Sequence, residues 1–423
     1  MPIFALSGVV ALLVVVTGAL SCMRATSEQQ DSQPEGGGQA QGSEQAEATP
    51  QAGKVTFCAV GDNLINEAGD YTADLLGLAD AWAGESGDGT YDFSPLYAPL
   101  AKTISSYDIA LINQETVLGG TSEFEYQGYP SYNTPDEMAQ AVARAGFDVV
   151  NCNTNHTYDM GSAAIEHAQK TWAKQKDVAV IGSYASEQDR ANIRVVERNG
   201  IKIAFLSYSY GQNGYEQSDL PNDYYATPFD KDKMKQEVAA AKEIADAVVV
   251  YMHWGDENTF ELSDEQRNYA SFLAGLGVDL VVGSHAHVIQ PVKYVSRGIQ
   301  STDDEVASTS SADSMLCVYG LGDFVSGYTL PKTILSGMFT CEFVRDEAGV
   351  VSIVNPVWHG LVEHNEGSED AVYLLSEYTQ EQAESNRLLA RVGENDDYDT
   401  SDPLAWAKQT TRDVVGNDIA VEV

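Results

Sequence analysis

Basic side chains are scarce in this 423-residue chain: 24 Lys and Arg stand against 63 Asp and Glu, a formal charge of −39. That balance excludes a nucleic acid partner, because a phosphate backbone is gripped by Lys/Arg patches and the sequence contains none. It also argues against electrostatic attachment to an anionic leaflet. Cysteine is sparse too, with five residues, which excludes a disulfide-stapled scaffold. No repeat of fixed period is present, so nothing indicates a solenoid. What remains is a 43% apolar content, enough for one large domain or two to three average ones. The seven His make a short list that can be read singly.

The N-terminus reads as an address. Pro2 to Met23 carries no charge and includes the run from Val9 to Val16. A signal-peptide core and a membrane anchor both fit such a run. It ends in Ala19-Leu20-Ser21-Cys22, which resembles a bacterial lipobox with Cys22 as the lipid attachment residue. The usual basic residues before the run are missing. Either reading places the rest of the chain outside the cytoplasm, tied to the cell membrane. Residues 22–54 are rich in Gln, Glu, Gly, Ser and Ala, and from residue 25 they hold no aromatic or branched aliphatic residue. Such a segment buries no core and is expected to be a solvated, disordered acidic tether.

From Val55 onward, apolar runs alternate with helical patterns. Val55–Val60, Asp108–Ile112, Phe147–Cys152, Ile201–Leu206, Ala247–Met252 and Val278–Val282 read as buried strands. Thr134-Pro135-Asp136-Glu137 and Ser263-Asp264-Glu265-Gln266 read as capping boxes opening helices that stop near Gly146 and near Gly275 or Gly277. Strands apolar on both faces and alternating with helices imply an α/β fold whose sheets are covered by helices. Met315–Tyr319, Met338–Val344 and Val350–Val354 lack helices between them and are expected as antiparallel or edge strands. Residues 296–314 read as a surface loop, and Ala371 to Val392 as a helix in an acidic C-terminal segment, 366–423.

Five polar motifs share one structural address. Asp62, Glu115, Asn155-His156, His253 and His285-x-His287 each fall just past the C-terminal end of an expected strand. In α/β sheets those ends converge on a crevice where ligands bind. A mixture of His, carboxylate and Asn suits Zn, Mn or Fe ions. On extended backbone His285 and His287 would point the same way. The set suffices for two divalent ions about 3.5–4 Å apart. The competing reading of any one such residue is a helix cap or loop hydrogen bonder; five in parallel register are harder to explain so. His167 reads as a solvated helix face, and His359 and His364 as residues of a loop after the last strand.

Taken together, Gly61-Asp62, Asn113-x-Glu115, Asn153-Thr154-Asn155-His156-x-x-Asp159-x-Gly161, His253-Trp254-Gly255-x-Glu257, Gly283-Ser284-His285-Ala286-His287-Val288-x-Gln290 and Tyr319–Phe324 resemble the successive motifs of the CapA-type family, linked to poly-γ-glutamate capsule synthesis within the calcineurin-like metallophosphoesterase superfamily. The resemblance covers about residues 55–362, within a domain expected over 55–365. It implies a four-layer sandwich, two mixed sheets flanked by helices, with a dinuclear metal site. By position, Asp62 and His287 would hold the first metal, Glu115 would bridge, and Asn155, His253 and His285 would hold the second. His156 would protonate a leaving group or orient substrate. Asp159 and Glu257 would orient His156 and His253. Asp62-Asn63-Leu64 lacks the imidazole usual in the first motif, which leaves the first metal site poor in ligands, and Asp323 is a further candidate that could compensate.

The resemblance implies a metal-dependent hydrolase or transferase, surface-anchored, acting in capsule or envelope polymer synthesis or processing. Its substrate would be the polymer or a small phosphorylated or γ-glutamyl compound. The alternative is a non-catalytic, metal-containing lipoprotein that binds or hands on an exported polymer, with Tyr208, Tyr210, Tyr215, Tyr224 and Tyr225 lining a groove. The strong negative charge sits awkwardly with a polyanionic partner in either case.

Overall fold

A computed structural model describes residues 53–69, 72–84, 89–298, 313–394 and 402–423. The expected leader (1–21), Cys22, nearly all of the tether and most of the 296–314 loop lie outside the described residues. Among those described, no helix is long and apolar enough to cross a membrane.

The strands are β1 Lys54–Asn63, β2 Ile109–Gln114, β3 Val149–Asn151, β4 Ala179–Ile181, β5 Arg194–Arg198, β6 Ile201–Ser209, β7 Ala247–His253, β8 Leu280–Ser284, β9 Val292–Ser296, β10 Ser314–Val318, β11 Asp323–Val325, β12 Leu335–Arg345, β13 Val351–Glu366, β14 Glu369–Leu374 and β15 Ala420–Glu422. They form two mixed sheets. One runs β14-β13-β12-β1-β2-β3-β4, with β11 beside β1 and β15 beside β13; the other runs β5-β6-β7-β8-β10-β9. Both are parallel at the centre, along β1-β2-β3-β4 and β6-β7-β8-β10. Antiparallel partners flank the parallel strands: β12 pairs β1, β5 pairs β6 and β9 pairs β10.

Side-chain alternation decides the layering. Val55, Phe57 and Ala59 of β1 face Phe205, Val249 and Leu280 of the other sheet in one core, where the Phe57 and Phe205 rings stack at 6.4 Å. Cys58 and Val60 point the opposite way, into a core shared with the helices Leu75–Ala83, Glu137–Ala145 and Gly161–Trp172. Val248, Val250 and Met252 of β7 face the helices Lys231–Ile244 and Asp264–Leu276. Helix, sheet, sheet and helix therefore stack in four layers, and strands buried on both faces need apolar residues at every position. The Ser263–Gln266 capping box forms, and that helix ends on the left-handed Gly277. The helix at 137 ends as expected on Gly146, but its capping box does not form: Thr134 instead pairs with Thr116 (2.6 Å).

The C-terminal region corrects the sequence reading. Residues 371–374 belong to β14, not to a helix, and only Gln380–Ser385 and a short 3-10 turn at Leu389–Glu394 are helical within the expected span. Gly367-Ser368 makes a two-residue turn from β13 into β14, with Gly367 at φ 69°, and Val372 is buried opposite Glu363. Nor does segment 366–423 stand apart, since β14 and β15 both pair with β13. His359 and His364 lie within β13, not in a loop after it.

Candidate metal centre

Register brings the polar strand ends level. Asp62 of β1 stands opposite Asn113 of β2 and Asp323 of β11, and Asn113 opposite Asn151 of β3. In the second sheet Ser209, His253 and Ser284 line up across β6, β7 and β8. Irregularities in β1 next to Asp62 interrupt the ladders there, a common device for re-aiming a side chain.

A hydrogen-bonded floor joins the sheets. Asn113 donates to Asp62 Oδ1 (2.7 Å) and lies 3.3 Å from Ser284 Oγ, Asn151 donates to Asn113 (2.6 Å), and Ser284 Oγ is 3.0 Å from His253 Nδ1. Above it, three overlapping groups each bring candidate ligand atoms within 4.8 Å of one another: Asp62, His287 and Asp323; Asp62, Glu115 and His253; and Glu115, His285 and His287. His253 Nε2 lies 3.8 Å from Glu115 Oε1 and 2.8 Å from Asn155 Oδ1. His287 offers Nε2 to Glu115 at 4.0 Å while Nδ1 lies 2.9 Å from Asp323 Oδ1. Every residue expected to hold metal is buried here.

The donor set fits divalent ions. Neither oxygen of Glu115 has a hydrogen-bond donor, and His285 Nδ1 and Asp323 Oδ2 are likewise unpartnered and buried. Native proteins seldom leave such groups orphaned. Burial and then the charge of Asp62 push the Glu115 carboxyl well above its usual range. Burial pushes Asp323 up to about 7 against the opposing charge of His287. Burial and neighbouring imidazoles pull His253 and His285 well down, favouring the neutral, ligating form. For His287 burial acts downward, but Asp323, Glu115 and Asp62 together raise it well above the usual range. A cation among these groups would satisfy the orphaned oxygens and the neutral nitrogens together.

Some expectations change. His285 and His287 do not sit on extended backbone: both adopt left-handed conformations, φ 96° and 56°, which are uncommon outside glycine and cluster at functional sites. Asp159 Oδ2 lies 2.7 Å from His156 Nδ1, within hydrogen-bond reach. Glu257 does not orient His253; it is exposed, and Ser284 occupies that nitrogen. His167 is partly exposed on its helix, as expected, and its Nε2 also lies 2.9 Å from both oxygens of Asp136.

Other residues at the site were not assigned from sequence. Tyr132 meets the His156 ring edge-on at 4.7 Å, and Tyr328 meets His287 likewise at 5.1 Å. Asn213 reaches His156 Nε2 (3.3 Å). Of the tyrosines taken as a groove, Tyr210 tilts over His285 at 4.6 Å and is 41% exposed, whereas Tyr208 is buried on Glu237. Ser284 could have been found from its place beside His285; Tyr328 carries no such signal.

Residues 56–328, well over half of the chain, match the family described as bacterial capsule synthesis protein PGA_cap. The chain is 30% identical over 205 residues to the capsule biosynthesis protein CapA of Bacillus anthracis, covering 47% of this chain and 45% of that one. It is 29% identical over 162 residues to the PGA biosynthesis protein CapA of Bacillus subtilis (strain 168), covering 38% and 42%. The chain thus spans less than half the length of either relative. Among solved structures it is similar to the NAD nucleotidase of Haemophilus influenzae (12% identity, 85% of this chain and 67% of that one, TM-score 0.42). It is also similar to the sulfate thiohydrolase SoxB of Thermus thermophilus (13% identity, 82% and 62%, TM-score 0.42).

Proposed function

The chain belongs to the bacterial capsule synthesis protein PGA_cap family, and from that premise we propose that it is a metal-dependent hydrolase or transferase acting on a capsule or other envelope polymer. The observation that carries this reading is Glu115, whose two buried carboxylate oxygens lack donors and face three buried imidazoles. Asp62, Glu115, Asn155, His253, His285 and His287 would hold the ions, with Asp323 beside His287. Divalent ions bound there would supply Lewis-acid polarisation of the substrate and a lowered pKa for an attacking water.

The chain's own groups do the rest. Asp159, acting on His156 Nδ1, would hold the ring so that Nε2, which Asn213 reaches at 3.3 Å, is the nitrogen left to move a proton; in its protonated form that nitrogen would hand a proton to a leaving group. The tyrosines at 132 and 328 limit water around the imidazoles they contact. The capsule and PGA biosynthesis roles of the relatives support an envelope polymer as substrate, and the motif resemblance adds a γ-glutamyl or phosphorylated compound as its class. The membrane address through Cys22 belongs to the same reading and rests on the sequence at 2–23.

Mn²⁺-loaded protein offered a γ-glutamyl anilide and a phosphodiester chromogen should turn over one of them, and chelation should stop it. Metal-loaded protein inert towards both, yet retaining a polymer of γ-linked glutamate, would shift the reading to a binding protein. The exposed Tyr210 and Tyr215 on the loop after β6 favour that second role.

A further inference from the structure

The charge of this chain raises a question that the metal centre does not answer: what would hold an acidic substrate against so negative a protein. Many cations described here are already neutralised by carboxylates, as Arg190 is by Glu237, Arg297 by Asp279 and Arg345 by Asp246. Two near the metal end of the sheets are held by backbone carbonyls instead, as Lys242 is elsewhere by that of Leu276 (3.2 Å). Lys332 Nζ donates to the backbone carbonyl of Asn258 (2.6 Å), and Arg391 Nη1 to that of Thr329 (3.0 Å). Among the described residues neither is paired with a carboxylate. A carbonyl orients a cation without cancelling its charge, and it leaves two N–H groups of the ammonium and four of the guanidinium uncommitted.

Both cations are tied to the metal end of the sheets. Lys332 sits in the short 3-10 turn Pro331–Ile334, four residues after Tyr328, whose ring meets His287. Its carbonyl partner, Asn258, donates its own N–H to the carbonyl of Ala286 (2.8 Å), between His285 and His287. The loop bearing Tyr328 is itself pinned, since Glu363 accepts from the N–H groups of Ser326 and Gly327. Arg391 anchors to Thr329, the residue following Tyr328.

We propose that Lys332 and Arg391 form an anion subsite beside the metal cluster, which binds an acidic group of the substrate adjoining the bond acted on. The assignment rests on the metal-dependent reading above and deepens it. Two fixed charges, one in the turn Pro331–Ile334 and one reaching the same loop from the turn Leu389–Glu394, suit an extended chain bearing carboxylates in series, with one group on each cation. They also answer the repulsion expected from the net charge, because screened long-range repulsion falls off within about 10 Å while a charge-assisted hydrogen bond acts at contact.

The test is calorimetry of Mn²⁺-loaded protein with a γ-linked glutamate tetramer and with the same tetramer amidated at its free carboxylates. The acidic tetramer should bind the wild type with an affinity that falls as salt rises. Lys332→Met should weaken it about tenfold, the size of one partly exposed charge-assisted bond. Arg391→Gln should weaken it less, and Lys332→Arg should restore most of the loss. The amidated tetramer should bind all four proteins alike. Equal binding of both tetramers to the wild type, or an unchanged affinity in Lys332→Met, overturns the subsite. So does a loss of Mn²⁺ affinity in Lys332→Met, which would make Lys332 a tie between loops. Failure of the wild type to bind Mn²⁺ sinks the metal reading instead, and the tetramer titrations on metal-free protein then decide the subsite alone.

Discussion

His156 and Asp323 show how much a single residue's surroundings decide at this site. His156 has its Nδ1 on Asp159 and its ring edge against Tyr132, so its orientation is fixed before any substrate arrives. His156→Ala should lower turnover by about 10²- to 10⁴-fold, the usual worth of a positioned acid or base, with Mn²⁺ affinity retained. Steady-state kinetics beside calorimetry checks both halves, and a variant with wild-type turnover would remove His156 from the reaction. Asp323, pushed up to about 7 by burial, predicts a pH dependence with a definite sign. Below that value the carboxyl holds a proton that a cation must displace, so Mn²⁺ affinity falls as pH drops through about 7. More protons should be released on binding at pH 6 than at pH 8, as titrations in buffers of different ionisation enthalpy would reveal. An affinity constant across that range contradicts the assignment. The candidate ligands could be picked out as a set in the sequence because each follows an apolar run within a few residues. Tyr328 and Lys332 were not assigned because their partners are set by loop packing between distant segments.

Among elements, the meeting of β1 and β11 is the most exacting. Gly61 precedes Asp62, and a Cβ there would lie 1.8 Å from the carbonyl oxygen of Gly322, which itself accepts the N–H of Asp62 (3.0 Å). Gly61→Ala must therefore separate the strands that present Asp62 and Asp323. It should cost about 3 kcal/mol, the upper range for overpacking, and weaken metal binding at once. Urea unfolding with and without Mn²⁺ measures both; a fully stable, metal-binding variant would show that the approach is relaxed easily. The parallel strands and the helix ends at Gly146 and Gly277 could be read from apolar runs and glycine stops. The strand β14 could not be read so readily. Its acidic residues and the helix-favouring composition around it hid the alternation of Asp370 and Val372, both buried against neighbours far away in sequence. The left-handed loop at His285 and His287 was equally hidden, since neither residue type announces a positive φ.

At the scale of the whole molecule, charge and address are the properties that matter. Part of the −39 lies in the N-terminal and C-terminal segments, and Asp62, Glu115 and Asp323 would be offset by bound cations. The surface met by a substrate is then less negative than the formal count. The helix-covered α/β body was legible because its central strands are largely apolar on both faces, and the four layers came from the motif resemblance; the weaving of residues 366–423 into the first sheet was not legible, because pairing with β13 is a long-range event. The lipobox-like stretch ending at Cys22 makes a separate prediction. Cys22→Ser should release the protein from the membrane fraction of the producing cells, and continued retention would leave the apolar run itself as the anchor. The buried cluster around Glu115 is predicted to be a metal centre. Metal analysis of the purified protein, set beside the isosteric Glu115→Gln variant, tests it most directly. Near-stoichiometric Mn, Zn or Fe in the wild type that falls sharply in the variant is the predicted result; a wild type with no bound metal, or a variant that retains its full complement, would contradict it.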